Sequence, residues 1–145
     1  MSGDPYDLAR FVSAQAGVFE AAVGELRAGR KRTHWMWFVF PQMKGLGRSP
    51  TALHFGISAL DEATAYIQHP VLGPRLEAAT SAVLASPAAS LHALFGSPDD
   101  MKFRSSMTLF AIAQPDGPYQ AALDRWCGGE VDHQTVELLS QTGSR

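Results

Sequence analysis

The stretch Ser97-Pro-Asp-Asp-Met-Lys-Phe-Arg-Ser-Ser-Met-Thr-Leu-Phe-Ala-Ile-Ala113 gives the clearest indication of how the chain folds. Its first residues are typical of a helix start: serine can cap a helix, proline fits the first helical position, and acids favour the positive end of the dipole. Phe103, Met107 and Phe110 then fall on one side of the predicted helix. Met101 lies nearly opposite. A helix that is apolar almost all round is buried, so we expect this one at the centre of the fold.

Further helices, separated by turns and breaks, extend on both sides of this central segment. In residues 7–28 apolar side chains recur at the spacing of one helix face, and Gly29 follows at the C-terminal end. His69 and Pro70 separate two later helices, because the residue before a proline resists helical angles. The predicted helices are 7–28, 58–68, 71–85, 97–113 and 118–127, with a short turn at 90–95 and a final amphipathic turn or two at 132–139. The pattern predicts an all-α fold, a compact single-domain bundle of about six to eight helices.

The segment Thr33-His-Trp-Met-Trp-Phe-Val-Phe-Pro41 is compatible with two secondary structures. Its aromatic and β-branched content favours a strand, whereas Thr33 as a cap and Pro41 as a terminator favour a short helix. Periodicity does not decide between them, because every position from Trp35 to Phe40 is apolar. Such a run is expected in the core in either case. Residues 42–55, rich in glycine, serine and proline, are expected to form a loop.

Length and composition predict one globular domain. The chain has 145 residues, of which 46% are hydrophobic and 18% charged. We expect a single helical domain over residues 1–145, with an ordered core at about 5–141. Its one cysteine, Cys127, excludes an intramolecular disulfide and fits a reducing compartment. There is no signal-peptide pattern, and no apolar run approaches the ~20 residues that span a bilayer. We therefore expect a cytoplasmic protein with no membrane partner, monomeric by default.

The net charge of −2 conceals a strong separation of charge along the chain. Between Leu26 and Leu60 there is no acidic residue and there are six of the 12 lysines and arginines, which gives +6. The other six bases and all 14 acids give the remainder a charge of −8. A separate positive region commonly serves an anion, although it can also face an acidic surface of the same fold. The basic residues of the segment are Arg27, Arg30, Lys31, Arg32, Lys44 and Arg48.

The chain lacks the sequence motifs of metal sites, activated nucleophiles and phosphate-binding loops. The five histidines include no pair at turn-related spacing and there is one cysteine, so we expect no metal site and no cofactor. The nucleophile elbow Gly-x-Ser-x-Gly is absent, and Gly45-Leu-Gly47 is only a fragment of a phosphate loop. The neighbouring acids Asp61-Glu62 and Asp99-Asp100 are explained by helix starts.

Cationic side chains and aromatic rings combine on both flanks of the apolar run. Charge can hold an anion while a ring supports stacking, which is what a nucleotide site requires. If the site is catalytic, His34 is the candidate acid or base, because histidine changes its charge nearest to neutral pH. The ligand-binding candidates are Arg32, His34, Trp37, Gln42, Lys44 and Arg48, with Lys102 and Arg104 from the central helix and Gln15 from the first.

Three interpretations of this segment are open. It can bind a nucleotide or other phosphate-bearing small ligand, or it can dock RNA or an acidic protein without catalysis. It can also be structural, with its tryptophans in the core and its bases on a solvated turn. Gln15, in the middle of an apolar stripe, is compatible with a ligand contact or with a hydrogen-bonded core glutamine. A cleft that reaches Trp37 would favour a small ligand, and a flat surface would favour docking.

Five segments of the chain carry a resemblance to a known family. They are Gly29-Arg-Lys-Arg-Thr-His-Trp-Met-Trp-Phe-Val-Phe-Pro-Gln-Met-Lys-Gly-Leu-Gly47, Asp7-Leu-Ala-Arg-Phe-Val-Ser-Ala-Gln15, His69-Pro-Val-Leu-Gly-Pro-Arg-Leu76, Phe95-Gly-Ser-Pro-Asp-Asp-Met-Lys102 and Arg104-Ser-Ser-Met-Thr-Leu-Phe110, within a similarity from about Asp7 to Leu139. In these segments the chain resembles a bacterial family known as domain of unknown function 1810. The resemblance implies a compact, all-helical, cytosolic bacterial domain and favours a helix for residues 33–40. It implies no activity, substrate or catalytic residue. Thr33 stands where the family pattern leads us to expect serine.

Overall fold

The central segment forms the longest helix of the computed structural model, which describes residues 4–142. Within that range the fold is all-α, as predicted, but it has ten helices, more than the expected six to eight. The extended chain makes one isolated bridge there, between Met43 and Ile57. The helices are α1 (Ala9–Gln15), α2 (Phe19–Ala28), α3 (Met36–Val39), α4 (Pro50–Phe55), α5 (Leu60–Gln68), α6 (Leu72–Leu84), α7 (Leu91–Phe95), α8 (Asp99–Ala113), α9 (Tyr119–Cys127) and α10 (His133–Thr142).

Two local features account for the additional helices. The helix predicted over residues 7–28 is broken, because Ala16 is extended and Gly17 adopts a positive φ of 75°. Residues 50–55, expected to be loop, form α4 instead. Ser49 caps this helix by accepting a hydrogen bond from the Ala52 amide at 3.1 Å, and Pro50 occupies its first turn. The serine and proline expected in a loop therefore start a helix here.

The central helix α8 lies in the segment that its sequence predicts, but it begins at Asp99, after Pro98, and no side chain caps it. The expectation of burial all round is wrong at Met101, which is 65% exposed. Phe103, Met107 and Phe110 are fully buried, and α5, α7, α9 and α10 all pack against α8. The Phe103 ring lies 5.0 Å from the centroids of both Phe40 and Phe95. These ring contacts attach the aromatic run of residues 35–40 to the centre of the molecule.

The aromatic run itself forms a single helical turn, α3, rather than a strand. Trp35 precedes it, and the Thr33 hydroxyl does not cap it. That hydroxyl instead donates a hydrogen bond of 2.7 Å to the carboxylate of Glu25. Within residues 4–142, no helix combines the length and apolar character that crossing a bilayer requires.

Candidate functional site

A cleft of about 470 Å³ (the Trp37 cleft) lies between α3, the start of α4 and the N-terminal end of α8. Its volume is within the usual range of small-ligand sites. The cleft combines aromatic walls with both acidic and basic side chains. The residues that line it are Lys31, His34, Trp35, Met36, Trp37, Phe38, Ser49, Thr51, Phe55, Asp99 and Lys102.

One helical turn divides the apolar run between the core and this cleft. Met36 and Val39 are buried on one side of α3, whereas Trp37 and Phe38 are only half-buried on the other. The run is thus mostly core, as predicted, and Trp37 and Phe38 are its partly exposed members. Gly47 packs against the edge of the indole, where an added Cβ would come within 2.8 Å of Trp37 Cη2. The absence of a side chain at this position lets the following loop approach the ring.

The carboxylate of Asp99 organises the charges of the cleft. It forms ion pairs with Lys31 Nζ at 2.9 Å and with Lys102 Nζ at 3.2 Å. Burial alone would raise the pKa of Asp99, but the hydrogen bonds from Lys31 and Lys102 outweigh it, so the pKa is lowered. Two lysines and one aspartate leave a formal charge of +1, before any charge on His34.

Both lysines of this group also lie over tryptophan rings. Lys31 Nζ is 5.1 Å from the ring centroid of Trp35, and Lys102 Nζ is 4.6 Å from that of Trp37. Each distance is short enough for a cation–π interaction. The cleft therefore places an ammonium group directly beside a partly exposed indole.

The turn that carries His34 is held by Glu25, near the C-terminal end of α2. Its carboxylate accepts hydrogen bonds from the Arg32 and Thr33 amides at 2.8 and 3.1 Å, and from Trp35 Nε1 at 2.9 Å. Burial opposes ionisation of this carboxylate, but these bonds and that from the Thr33 hydroxyl lower its pKa to about 2. Glu25 thus fixes the backbone on both sides of His34, whose ring is exposed.

A second cavity, of about 290 Å³ (the Gln42 pocket), adjoins the first, since Trp37 and Lys102 line both. Its lining is mostly apolar and includes the polar side chains of Gln42 and Asp132. The residues that line it are Trp37, Gln42, Leu46, Gly47, Pro98, Met101, Lys102, Ser105, Asp132 and Gln134.

The amide of Gln42 is exceptional among the polar groups that line these cavities. The residue is only 2% exposed, and its Nε2 has no hydrogen-bond partner in the described part of the chain. A buried polar group without a partner costs about 1–3 kcal/mol of folding free energy. The fold therefore keeps an amide in the wall of a cavity at a cost in stability.

The structure brings four of the predicted site residues together. His34, Trp37 and Lys102 line the Trp37 cleft, and Gln42 lines the adjoining pocket with Trp37 and Lys102. Arg32 and Arg48 have exposed side chains and line neither cavity. Lys44 lies elsewhere, in a cavity that it shares with Arg10 and His54.

Two further predicted residues make structural contacts away from the cleft. Gln15 is buried, donates from Nε2 to the carbonyl of Phe38 at 2.7 Å, and accepts from Arg75 at 3.3 Å. It is thus a hydrogen-bonded core glutamine that fixes the C-terminal part of α3. Arg104 donates to the carbonyls of Glu130 and Val131, both at 3.1 Å, and so holds the loop before α10.

Sequence reasoning missed Lys31, Asp99 and Asp132 as cavity residues. Asp99 was assigned to a helix start, and Lys31 to a basic run without a specific role. The pairing of Asp99 with Lys102 has a local signal, because residues three apart share a helix face. The pairing with Lys31 has none, because 68 positions separate the two residues. Within residues 4–142 there is no group of three or more histidine, cysteine and acidic side chains suited to a metal ion.

Comparison with known proteins relates nearly the whole chain to one group. A family model described as "protein of unknown function (DUF1810)" matches residues 5–139. The crystal structure of the conserved hypothetical protein Rv1873 from Mycobacterium tuberculosis is 55% identical in sequence, with a TM-score of 0.92. The match covers 94% of this chain and 99% of that one. No protein of curated function matches the chain significantly.

Proposed function

Since this chain belongs to DUF1810, a family of proteins of unknown function, we propose its function from its geometry: the Trp37 cleft binds a small phosphate-bearing ligand such as a nucleotide. The observation that carries the proposal is the partly exposed Trp37 ring with Lys102 Nζ 4.6 Å from its centroid, inside a cleft of about 470 Å³. An aromatic face supports a planar group and the adjacent ammonium supports an anion.

The charge distribution of the cleft supports an anionic ligand. Asp99 holds the ammonium groups of Lys31 and Lys102 within 2.9 and 3.2 Å of its own oxygens, so both are positioned before a ligand arrives. An ammonium group has three donors, and a phosphate oxygen can accept from those that Asp99 does not use. His34 lies at the same cleft and supplies a further donor. If the ligand is transformed, His34 is the group placed to move a proton.

A concave site favours a small ligand over the docking of RNA or an acidic protein, because docking needs no cavity at Trp37. The exposed Arg30, Arg32 and Arg48 are the residues that would serve the docking alternative. In that case binding would fall steeply with salt, since each phosphate contact releases counterions.

The test is a thermal-shift and tryptophan-fluorescence titration with nucleoside monophosphates, ribose 5-phosphate and inorganic phosphate. Binding at 100 times Kd stabilises the folded state by about 2.7 kcal/mol. Lys102→Met keeps the aliphatic stem on the indole and removes the charge, so we expect phosphate-bearing ligands to bind at least ~10-fold more weakly. Lys44→Met removes one exposed charge at a different cavity and is the matched control.

Two results would overturn the proposal. One is the absence of any shift with all of these compounds at millimolar concentration. The other is a Lys102→Met variant that binds them as tightly as the wild type does.

A further inference from the structure

We infer that the Gln42 pocket recognises the nucleobase of a nucleotide whose phosphate lies in the Trp37 cleft, with Gln42 and Asp132 as the specificity-determining residues. This inference rests on the function proposed above and narrows its ligand from any phosphate-bearing metabolite to a nucleotide. Its basis is the pair of adjoining cavities, which share Trp37 and Lys102 but differ in charge.

Gln42 is held in place by a hydrogen bond to its backbone. Its backbone carbonyl accepts a hydrogen bond of 2.8 Å from the Ile57 amide, beside the bridge that joins Met43 to Ile57. The side chain is 98% buried, so the amide is shielded from bulk water while Nε2 lacks a partner in the described part of the chain. A primary amide both donates and accepts. Because Gln42 lines the pocket, a bound group that carries both an acceptor and a donor can pair with this amide.

The carboxylate of Asp132 is also held in place by hydrogen bonds. Oδ2 accepts from the Thr135 amide at 3.0 Å and from its hydroxyl at 2.6 Å, and the Asp132 amide donates to Thr108 Oγ1 at 2.9 Å. Both side-chain bonds thus end on one oxygen. Within residues 4–142 the other oxygen, Oδ1, has no hydrogen bond. A carboxylate can only accept, so it selects a ligand edge that carries N–H or O–H donors.

The side chains of Gln42 and Asp132 match the hydrogen-bonding groups of a nucleobase. Gln42 and Asp132 together offer a donor and acceptors in a pocket that the indole of Trp37 also lines. A nucleobase presents N–H donors beside carbonyl or ring-nitrogen acceptors on a flat ring, and so suits both the polar side chains and the aromatic ring. A sugar phosphate can donate from its hydroxyl groups to a carboxylate, but it has no flat ring to place against the indole.

Charge then fixes the direction in which the ligand lies. The Trp37 cleft has two lysines against one aspartate, whereas the Gln42 pocket adds the carboxylate of Asp132 to the shared Lys102. The formal charge is therefore +1 in the cleft and zero in the pocket, so a phosphate is favoured in the cleft over the pocket. The neutral base belongs beside Gln42, and Trp37 lies between the two parts of the ligand.

The experiment compares GMP, ribose 5-phosphate and inorganic phosphate on the wild type and on Gln42→Leu. The wild type is expected to bind GMP at least tenfold more tightly than ribose 5-phosphate. Gln42→Leu removes this preference and leaves the affinities for ribose 5-phosphate and phosphate unchanged. Its melting temperature should equal or exceed that of the wild type, because the substitution removes a buried amide that has no partner. Gln68→Leu, the same substitution at the exposed end of α5, should change none of these affinities.

The outcomes separate this inference from the proposal on which it rests. Equal binding of GMP and ribose 5-phosphate, or a Gln42→Leu variant that retains the preference for GMP, overturns the nucleobase site and leaves the phosphate site standing. If none of the three compounds binds to the wild type, both fail.

Discussion

At the scale of single residues, Glu25 connects the stability of the protein to the shape of its cleft. One carboxylate accepts from two consecutive amides, a hydroxyl and an indole, and so determines the path of residues 32–35. The same residues carry the ring of His34 to the edge of the cleft. The ionised form of Glu25 is thus required both for local stability and for the geometry of the site.

Glu25→Gln should lower the free energy of unfolding at neutral pH. It should also make that free energy fall less steeply as the pH is lowered. In the folded state the pKa of Glu25 is lowered from 4.5 to about 2. Its bonds therefore stabilise fully above about pH 4.5 and are lost as the pH falls through about 2. We expect a loss of about 1 kcal/mol at pH 7, a modest value because the group is partly solvated. Urea unfolding from pH 7 to 2 measures it, and the stability difference from wild type should shrink as the pH falls.

Glu20→Gln, an exposed position on the same helix, provides the control and should behave like the wild type. A Glu25→Gln variant that keeps the full acid dependence of the wild type would show that this carboxylate is not its source.

The residue types that line the two cavities could be predicted from the sequence, but their partners could not. His34, Trp37, Gln42 and Lys102 stand out because charge, amide and aromatic side chains are unusual beside a buried run. Which of them face a cavity depends on contacts with residues far along the chain, such as those between Lys31 and Asp99. Arg32 and Arg48 belong to the same basic and aromatic segment, yet they line neither cavity. The composition of a segment does not show in which direction each side chain points.

At the scale of helices, periodicity located the long elements and missed the short ones. The predicted segments 58–68, 71–85 and 118–127 correspond to α5, α6 and α9 within two residues at each end. The break between α1 and α2 was missed because the apolar face continues across it, and only Gly17 signals the change of direction. α3 and α4 are too short to show a period, so their existence depends on capping and on tertiary packing.

The junction of α5 and α6 depends on a glycine that periodicity treats as neutral. A Cβ at Gly73 in α6 would overlap the backbone carbonyl of Ile67 in α5. The two helices pack against each other, so they cannot separate to make room for it without losing contacts. We expect Gly73→Ala to lower the free energy of unfolding by about 3 kcal/mol or more, although alanine is the better helix former. Chemical denaturation monitored by far-UV circular dichroism gives the value.

Gly24 in α2 is the matched position, because a Cβ there meets no atom within 4 Å. Gly24→Ala should raise the free energy of unfolding by about 0.5–1 kcal/mol, through helix propensity and a less flexible unfolded chain. Equal effects at the two glycines would contradict the close approach of α5 to α6.

At the scale of the whole molecule, the acid-free segment does not act as one positive surface. Lys31 is engaged by Asp99, a residue from the acidic remainder of the chain, while Lys44 lines a separate cavity. The separation of charge seen along the sequence is thus partly undone by folding. What is left at the cleft is a small local excess of positive charge beside an aromatic ring, and on this we base the proposal of one small anion rather than a polyanion.

Binding of a small anion and binding of an extended polyanion depend on different charges of the protein. They can be distinguished by removing three charges outside the cleft or one charge inside it. The triple variant Arg30→Ala, Arg32→Ala and Arg48→Ala removes exposed guanidinium groups that line neither cavity. Because these guanidinium groups are exposed to solvent and salt and line neither cavity, we expect the affinity for GMP to stay within about threefold of the wild type. Lys102→Met, a single charge at the indole, should reduce that affinity at least ~10-fold. Isothermal titration at 50 and 200 mM salt measures both. If the triple variant loses more affinity than Lys102→Met, and the loss grows as salt is lowered, then long-range attraction over the basic segment determines binding, and the protein is built for an extended polyanion.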